Sequence, residues 1–234
     1  MTPALAAAPW RCFGWSARAW SHPWGAFLRE HAGWRGRSGL EIGSGVHSSL
    51  APLMLALVQQ VECSAHVADS LPMIEARNSA LLPAADAKRI RYTVRDLRAL
   101  RGQWDLIVMK SVLGGVYRTQ EASLADVHAN VGRLIDQHLT PGGLLVTLDN
   151  GRTWLEPLWA RFGARRNGWR VFSRGDLPTP DAMYGFGVLG GFSAATRLGA
   201  VGRLIDDVLY VADRVLSPLT RRHAVLMHVY RKPP

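Results

Sequence analysis

Lysine is nearly missing from this 234-residue chain. Lys88, Lys110 and Lys232 are the only three, so the 28 basic residues are almost all arginine. Acids are sparse too: 18 Asp and Glu leave a formal net charge of +10. Cysteine is limited to Cys12 and Cys63, which have no metal or redox spacing and are too few for a disulfide scaffold. A reduced thiol in a core strand, as read for Cys63, behaves as a small apolar group, and a reducing cytoplasm fits. No apolar run reaches the roughly 20 residues that a membrane span needs. The opening "MTPALAAAPW" has neither a basic start nor a long apolar run, so it reads as a loose terminus, not a signal peptide. Internal repeats and low-complexity tracts are absent.

What is present is apolar content, 48% of residues, enough for a large core and against disorder. The length suits one α/β domain. The arginine excess has two readings. One is an anionic partner: a phosphate-bearing substrate, nucleic acid, or peripheral contact with an anionic membrane surface. The other is the composition of an Arg- and Ala-rich chain from GC-rich coding. Uneven placement of the arginines keeps the first in view.

Strand and helix patterns alternate, which predicts a parallel sheet with helices on both faces. Residues 10–37, rich in Trp and Arg, predict helical turns over the sheet edge. Strands are expected at 39–42, 61–69, 90–96, 104–112 and 144–150. The run "WDLIVMKSV" is continuously apolar enough for a strand buried on both faces. Helices are expected at about 49–57, with Ser48 or Ser49 as cap and Pro52 in the first turn, at 70–82, and at 123–139, stopped by "TPGG". Beyond 152 the rhythm changes. A strand is expected at 191–199, a helix at 201–216 and a final strand at 223–232 that inserts antiparallel, because no crossover helix fits before it. The single domain divides into a helical cap (1–37), a nucleotide-binding core (38–151), a substrate lid or insertion (152–191) and a terminal strand-helix-strand (192–234).

In an open parallel sheet, ligands bind beyond the carboxyl ends of the strands. The residues there carry the chemistry: Glu41 with "GSG" (43–45), Asp69, Asp96, "MKS" (109–111), and Asp149 with Asn150. Gly43 and Gly45 let the backbone turn sharply and approach a ligand. Asp69 can accept both hydroxyls of a ribose, a charged hydrogen bond of about 1.5–3 kcal/mol. A dinucleotide site would be served equally up to this point. Three details separate the two. Ser48 occupies the sixth position of the dinucleotide fingerprint, where Gly or Ala belongs. Glu41 sits badly beside a pyrophosphate but well beside an ammonium or sulfonium. A second acid, Asp96, stands in "RDLRAL", where it can accept from an adenine amino group with Leu97 against the ring.

These pieces resemble the class I S-adenosylmethionine-dependent methyltransferases. The resemblance lies in "LEIGSG" (40–45), "HVADSLPMIEAR" (66–77), "VRDLRAL" (94–100), "WDLIVMKSVL" (104–113) and "LTPGGLLVTLDN" (139–150), in the family's order. It covers about half the chain. It implies an α/β, Rossmann-like seven-stranded mixed sheet of order 3-2-1-4-5-7-6 with the last strand antiparallel. It also implies S-adenosyl-L-methionine as cofactor. Gly43, Ser44 and Gly45 would line the methionine part with Glu41 behind them. Asp69 and Ser70 would hold the ribose, and Asp96 and Leu97 the adenine.

Two departures carry open alternatives. His47 replaces the common third glycine: either a base or substrate contact near the methyl group, or a helix-start histidine pointing away. Lys110 ends a buried strand, where an unpaired charge is costly. It either meets a carboxylate in the cleft, that of the cofactor's methionine part or Asp149, or snorkels to the sheet end. Asp149 is the candidate general base for a nucleophile that must lose a proton. No metal-ligand spacing is present.

The acceptor half is less legible. Residues 152–174 hold six arginines against one glutamate, Glu156, interleaved with Trp154, Trp159 and Trp169. They read as a platform for an anionic or aromatic substrate, or as an amphipathic helix. The segment "MKSVLGG" lacks the Pro-Pro-aromatic run of base-amino methyltransferases, and neither cysteine ends the fourth or fifth strand. A small-molecule, sugar or lipid-linked acceptor is therefore expected, anionic if the arginines serve it. RNA methylation and a non-catalytic nucleotide-binding partner protein are the alternatives.

Overall fold

The computed structural model describes residues 9–14, 17–153, 168–189 and 199–234. A seven-stranded sheet forms the middle layer. Its strands are β1 (Gly36–Ile42), β2 (Val58–Ala65), β3 (Ile90–Val94), β4 (Trp104–Lys110), β5 (Leu139–Asn150), β6 (Ala182–Phe186) and β7 (Val225–Arg231), in the order β3-β2-β1-β4-β5-β7-β6. The first five run parallel, and β7 lies antiparallel between β5 and β6. The expected order is the observed one.

The helices are α1 (Ala17–Glu30), α2 (Ala51–Met54), α3 (Leu71–Ser79), α4 (Ala84–Ala87), α5 (Val112–Val116), α6 (Leu124–Arg133) and α7 (Gly199–Leu216). Successive strand residues alternate between two apolar layers, as the two-residue period requires. Trp20, Trp24 and Phe27 of α1 and Leu53 and Met54 of α2 pack with Val108, Val146, Leu148 and Met227 on one face. Leu113, Val127 and Val131 pack with Leu40, Ile107, Met109 and Leu145 on the other. The Trp-rich N-terminal stretch thus forms a helix that covers one face of the sheet, against β6 and β7.

Several local expectations need correcting. The helix expected at 49–57 is the single turn of α2, and neither Ser48 nor Ser49 caps it. Buried Glu41 does so instead: its carboxylate accepts from the Leu50 N–H (2.6 Å), the Ala51 N–H (2.9 Å) and the Ser49 hydroxyl (2.7 Å). A charged acceptor eight to ten residues away outcompetes a neighbouring hydroxyl for the same amides.

The helix expected to reach 139 ends at Arg133 in a wide turn, Leu134–His138, and "TPGG" belongs to the start of β5. The pairing of β4 with β5 is irregular there, between Trp104 and Leu106. The strand expected at 191–199 lies mostly outside the described residues, and Gly199 opens α7. The sixth strand is Ala182–Phe186, inside the stretch read as a lid. Its interior Gly185 leaves room for the His223 ring packed on the backbone. Of the expected Arg/Trp platform, residues 154–167 lie outside the described residues.

Candidate functional site

Each parallel strand ends at the same edge of the sheet, and the residues expected to carry chemistry come together there. After β1, Gly43 turns the chain with φ +77°. A Cβ at Gly43 would also stand 2.5 Å from Val112 Cγ2, so α5 closes tightly on this turn. Gly45 faces open space. Reciprocal backbone bonds between Gly45 and Ser48, 2.8 and 3.0 Å, hold the loop as a small closed ring. The Cys12 carbonyl accepts from the Ser49 N–H at 3.0 Å and so ties the N-terminal segment to this loop.

Ser44 points inward, where its hydroxyl oxygen accepts from the Cys63 thiol. Burial pushes the Cys12 thiol up to about 12 and the Cys63 thiol higher still, so both stay protonated packing groups. His47 is exposed.

Asp69 sits in a short turn, Ala68–Ser70, beyond β2. Its carboxylate is exposed and forms no hydrogen bond or ion pair among the described residues. The Ser70 hydroxyl bonds the Val67 carbonyl at 2.7 Å and closes the turn. Beyond β3, one oxygen of exposed Asp96 accepts from the Arg98 N–H at 2.9 Å. Leu97 points into the apolar layer of α6, so the turn offers the edge its acid more than its leucine.

Lys110 and Asp149 end the two central strands. Lys110 lies with its Nζ 4.6 Å from the Trp20 ring centre, a cation–π contact that sequence reasoning missed because Trp20 is remote in the chain. Burial drives the Lys110 ammonium down, to about 7, while Glu41 and Asp149 pull it back up. Burial drives the Asp149 carboxyl up, to about 7, and the charge of Lys110 pulls against it. Asp149 is 1% exposed and neither oxygen makes a hydrogen bond. Next to this pair, Ser111 holds a left-handed conformation (φ 58°, ψ 22°) and a buried, unpaired hydroxyl. Such backbone strain in a non-glycine residue clusters at functional sites. The sequence placed Ser111 at this edge within "MKS" (109–111) but assigned it no role of its own.

Residues 168–172 lie across this edge. The Phe172 N–H bonds the Asn150 carbonyl and the Arg170 N–H bonds the Gly114 carbonyl, both at 2.9 Å. Part of the expected lid is therefore fixed to β5 and α5.

No family model and no curated protein matches this sequence. Solved structures do match its fold. The N-methyltransferase NodS of Bradyrhizobium japonicum, in complex with S-adenosyl-L-homocysteine, aligns over 92% of this chain and 87% of its own, with TM-score 0.53 and 12% identity. Geranyl diphosphate C-methyltransferase of Streptomyces coelicolor aligns over 91% and 79%, with TM-score 0.52 and 14% identity. Magnesium protoporphyrin IX methyltransferase of Synechocystis aligns over 68% and 69%, with TM-score 0.52 and 16% identity. The chain has the Rossmann-like fold of the class I methyltransferases.

Proposed function

We propose that this protein transfers a methyl group from S-adenosyl-L-methionine to a small-molecule acceptor. The carrying observation is the clustering of the glycine turn, Asp69, Asp96, Lys110 and Asp149 on one edge of a sheet with this strand order. The residues fit the cofactor. A left-handed Gly43 and an open Gly45 leave a cradle, and Asp69 stands unpaired for a ribose. When bound, the cofactor supplies an electrophilic methyl group on a sulfonium.

The chain's own task is mainly placement, because in-line displacement is driven largely by proximity and orientation. Gly43, Ser44 and Gly45 shape the turn, and Glu41 positions it by holding the start of α2. Asp69, with Ser70 closing its turn, accepts from ribose hydroxyls. Asp96 accepts from the adenine, with Leu97 packed beneath. Lys110, between Glu41, Asp149 and Trp20, sets the charge at the methionine end.

Asp149 is the group suited to take a proton from an acceptor hydroxyl or amine. Its raised pKa matches a base working near neutral pH. His47, exposed within the closed ring between Gly45 and Ser48, lacks such burial and serves as a loop residue.

Saturating S-adenosylhomocysteine should raise the unfolding temperature, since about 100-fold excess over Kd stabilises by about 2.7 kcal/mol. NAD should leave it unchanged. A rise with NAD and none with S-adenosylhomocysteine would reject the reading.

A further inference from the structure

A second concavity opens beside the same edge, away from the glycine turn. It encloses about 430 Å³ and is lined by His22, Arg174, Arg214, Arg221 and His223 over Gly185 and Phe186. Among the described residues, no acidic side chain lines it. Among the described residues, Arg174, Arg214 and Arg221 form no ion pair and no hydrogen bond.

The five cationic or titratable groups come from four separate parts of the chain. His22 lies on α1, its ring stacked on Phe186 with centroids 4.1 Å apart. Arg214 lies in the last turn of α7. Arg221 and His223 precede β7, and Arg174 follows the segment fixed to β5. The His223 Nε2–H donates to the Ser217 carbonyl, 3.1 Å away, while Nδ1 is buried and unpaired. Asp213 is the neighbouring acid, and its oxygen is engaged by the Val188 and Leu189 N–H groups, both at 2.7 Å. Asp207 is engaged by Arg18.

Like charges repel, so three exposed arginines that line one pocket without an ion-pair partner among the described residues favour an anion between them. Guanidinium forks match the oxygens of phosphate. Position links the concavity to the reacting edge. Val225 pairs with both Asn150 and Phe186, so the pocket borders the end of β5, where Asp149 lies.

We infer that this pocket binds the phosphate or diphosphate group of the methyl acceptor. Its role in catalysis rests on the methyl-transfer reading, but its anion binding does not. It orients the acceptor by its charged end and leaves the other end to reach the methyl group. Val211 and Val215, beside Arg214, are exposed apolar residues, so the phosphate has two sources to separate: a soluble metabolite or a lipid headgroup.

The test is calorimetric titration with inorganic pyrophosphate. It compares the wild type with an Arg174→Gln/Arg214→Gln pair and with an Arg101→Gln/Arg231→Gln pair of equal charge change elsewhere. The expected result is saturable binding, weakened about tenfold or more only in the first pair. S-adenosylhomocysteine affinity should be equal in all three proteins. Sedimentation with phosphatidylcholine vesicles, with and without phosphatidic acid, identifies the source. Capture by phosphatidic acid that the first pair loses means a headgroup; pyrophosphate binding without capture means a soluble metabolite. Both support the site. No saturable pyrophosphate binding, or equal loss in both pairs, overturns it. Pyrophosphate binding without S-adenosylhomocysteine binding would sink the methyl-transfer reading and leave the anion site standing.

Discussion

Gly43 meets two constraints at once: a positive φ and Val112 Cγ2 2.5 Å from any Cβ. A left-handed conformation costs an L-residue about 1–2 kcal/mol before the clash is counted. Gly43→Ala should therefore lower the urea-unfolding free energy by about 2–3 kcal/mol and weaken S-adenosylhomocysteine binding. A variant as stable as wild type would mean that α5 yields easily.

His228 shows a different kind of residue-level cost. It lies between Thr147 of β5 and Met183 of β6, fully buried, with both ring nitrogens unpaired. Burial, with Arg174 adding to it, holds its pKa down to about 4 from the ordinary 6.5 of a histidine. The unfolded chain thus takes up a proton well before the folded protein does. Stability is full above the unfolded pKa and is lost as pH falls toward the folded one. Between about pH 7 and about pH 5 the loss from this residue should be on the order of 2 kcal/mol. His228→Leu should flatten that part of the stability profile. An equally steep profile in the variant would assign the acid sensitivity elsewhere.

At the scale of elements, Asp105 shows how one side chain holds strands together. It accepts from the Arg37 N–H (2.7 Å) and Ser38 N–H (2.9 Å) of β1 and from the Thr140 hydroxyl (2.6 Å) of β5. These bonds outweigh its partial burial and hold its carboxyl below the usual range. Its contribution is present above the ordinary carboxylate pKa and fades as pH falls through the lowered one. Asp105→Ala should cost about 2–3 kcal/mol in urea unfolding at neutral pH, because it leaves two strand amides without their charged acceptor. A cost near zero would show that water replaces the carboxylate.

Element boundaries were the least legible feature of the sequence, for physical reasons. The cap of α2 is Glu41, on another element, and local rules point to Ser48 or Ser49. The strand Ala182–Phe186 is short, contains a glycine and follows Pro178 and Pro180, so its composition reads as loop. Its partner β7 supplies the order that its own residues do not.

At the scale of the whole molecule, the strand order and the edge that carries the site were legible. Apolar runs marked the strands, and "GSG", Asp69, Asp96 and Asp149 lie at or just beyond their carboxyl ends. What was not legible is whatever forms only when distant segments meet. The stacking of Lys110 on Trp20 joins β4 to α1. The arginine pocket joins α1, α7, Arg174 and the loop before β7. No spacing within one segment encodes such contacts.

The central claim is that this edge holds S-adenosylmethionine through Asp69. Asp69 is exposed and forms no bond within the described residues, so Asp69→Ala should leave stability unchanged. The direct measurement is calorimetric titration of wild type and Asp69→Ala with S-adenosylmethionine, S-adenosylhomocysteine and NAD. The account predicts binding of both adenosyl ligands, weakened about tenfold or more in the variant, and no binding of NAD. Binding of NAD alone, or adenosyl binding indifferent to Asp69→Ala, would contradict it.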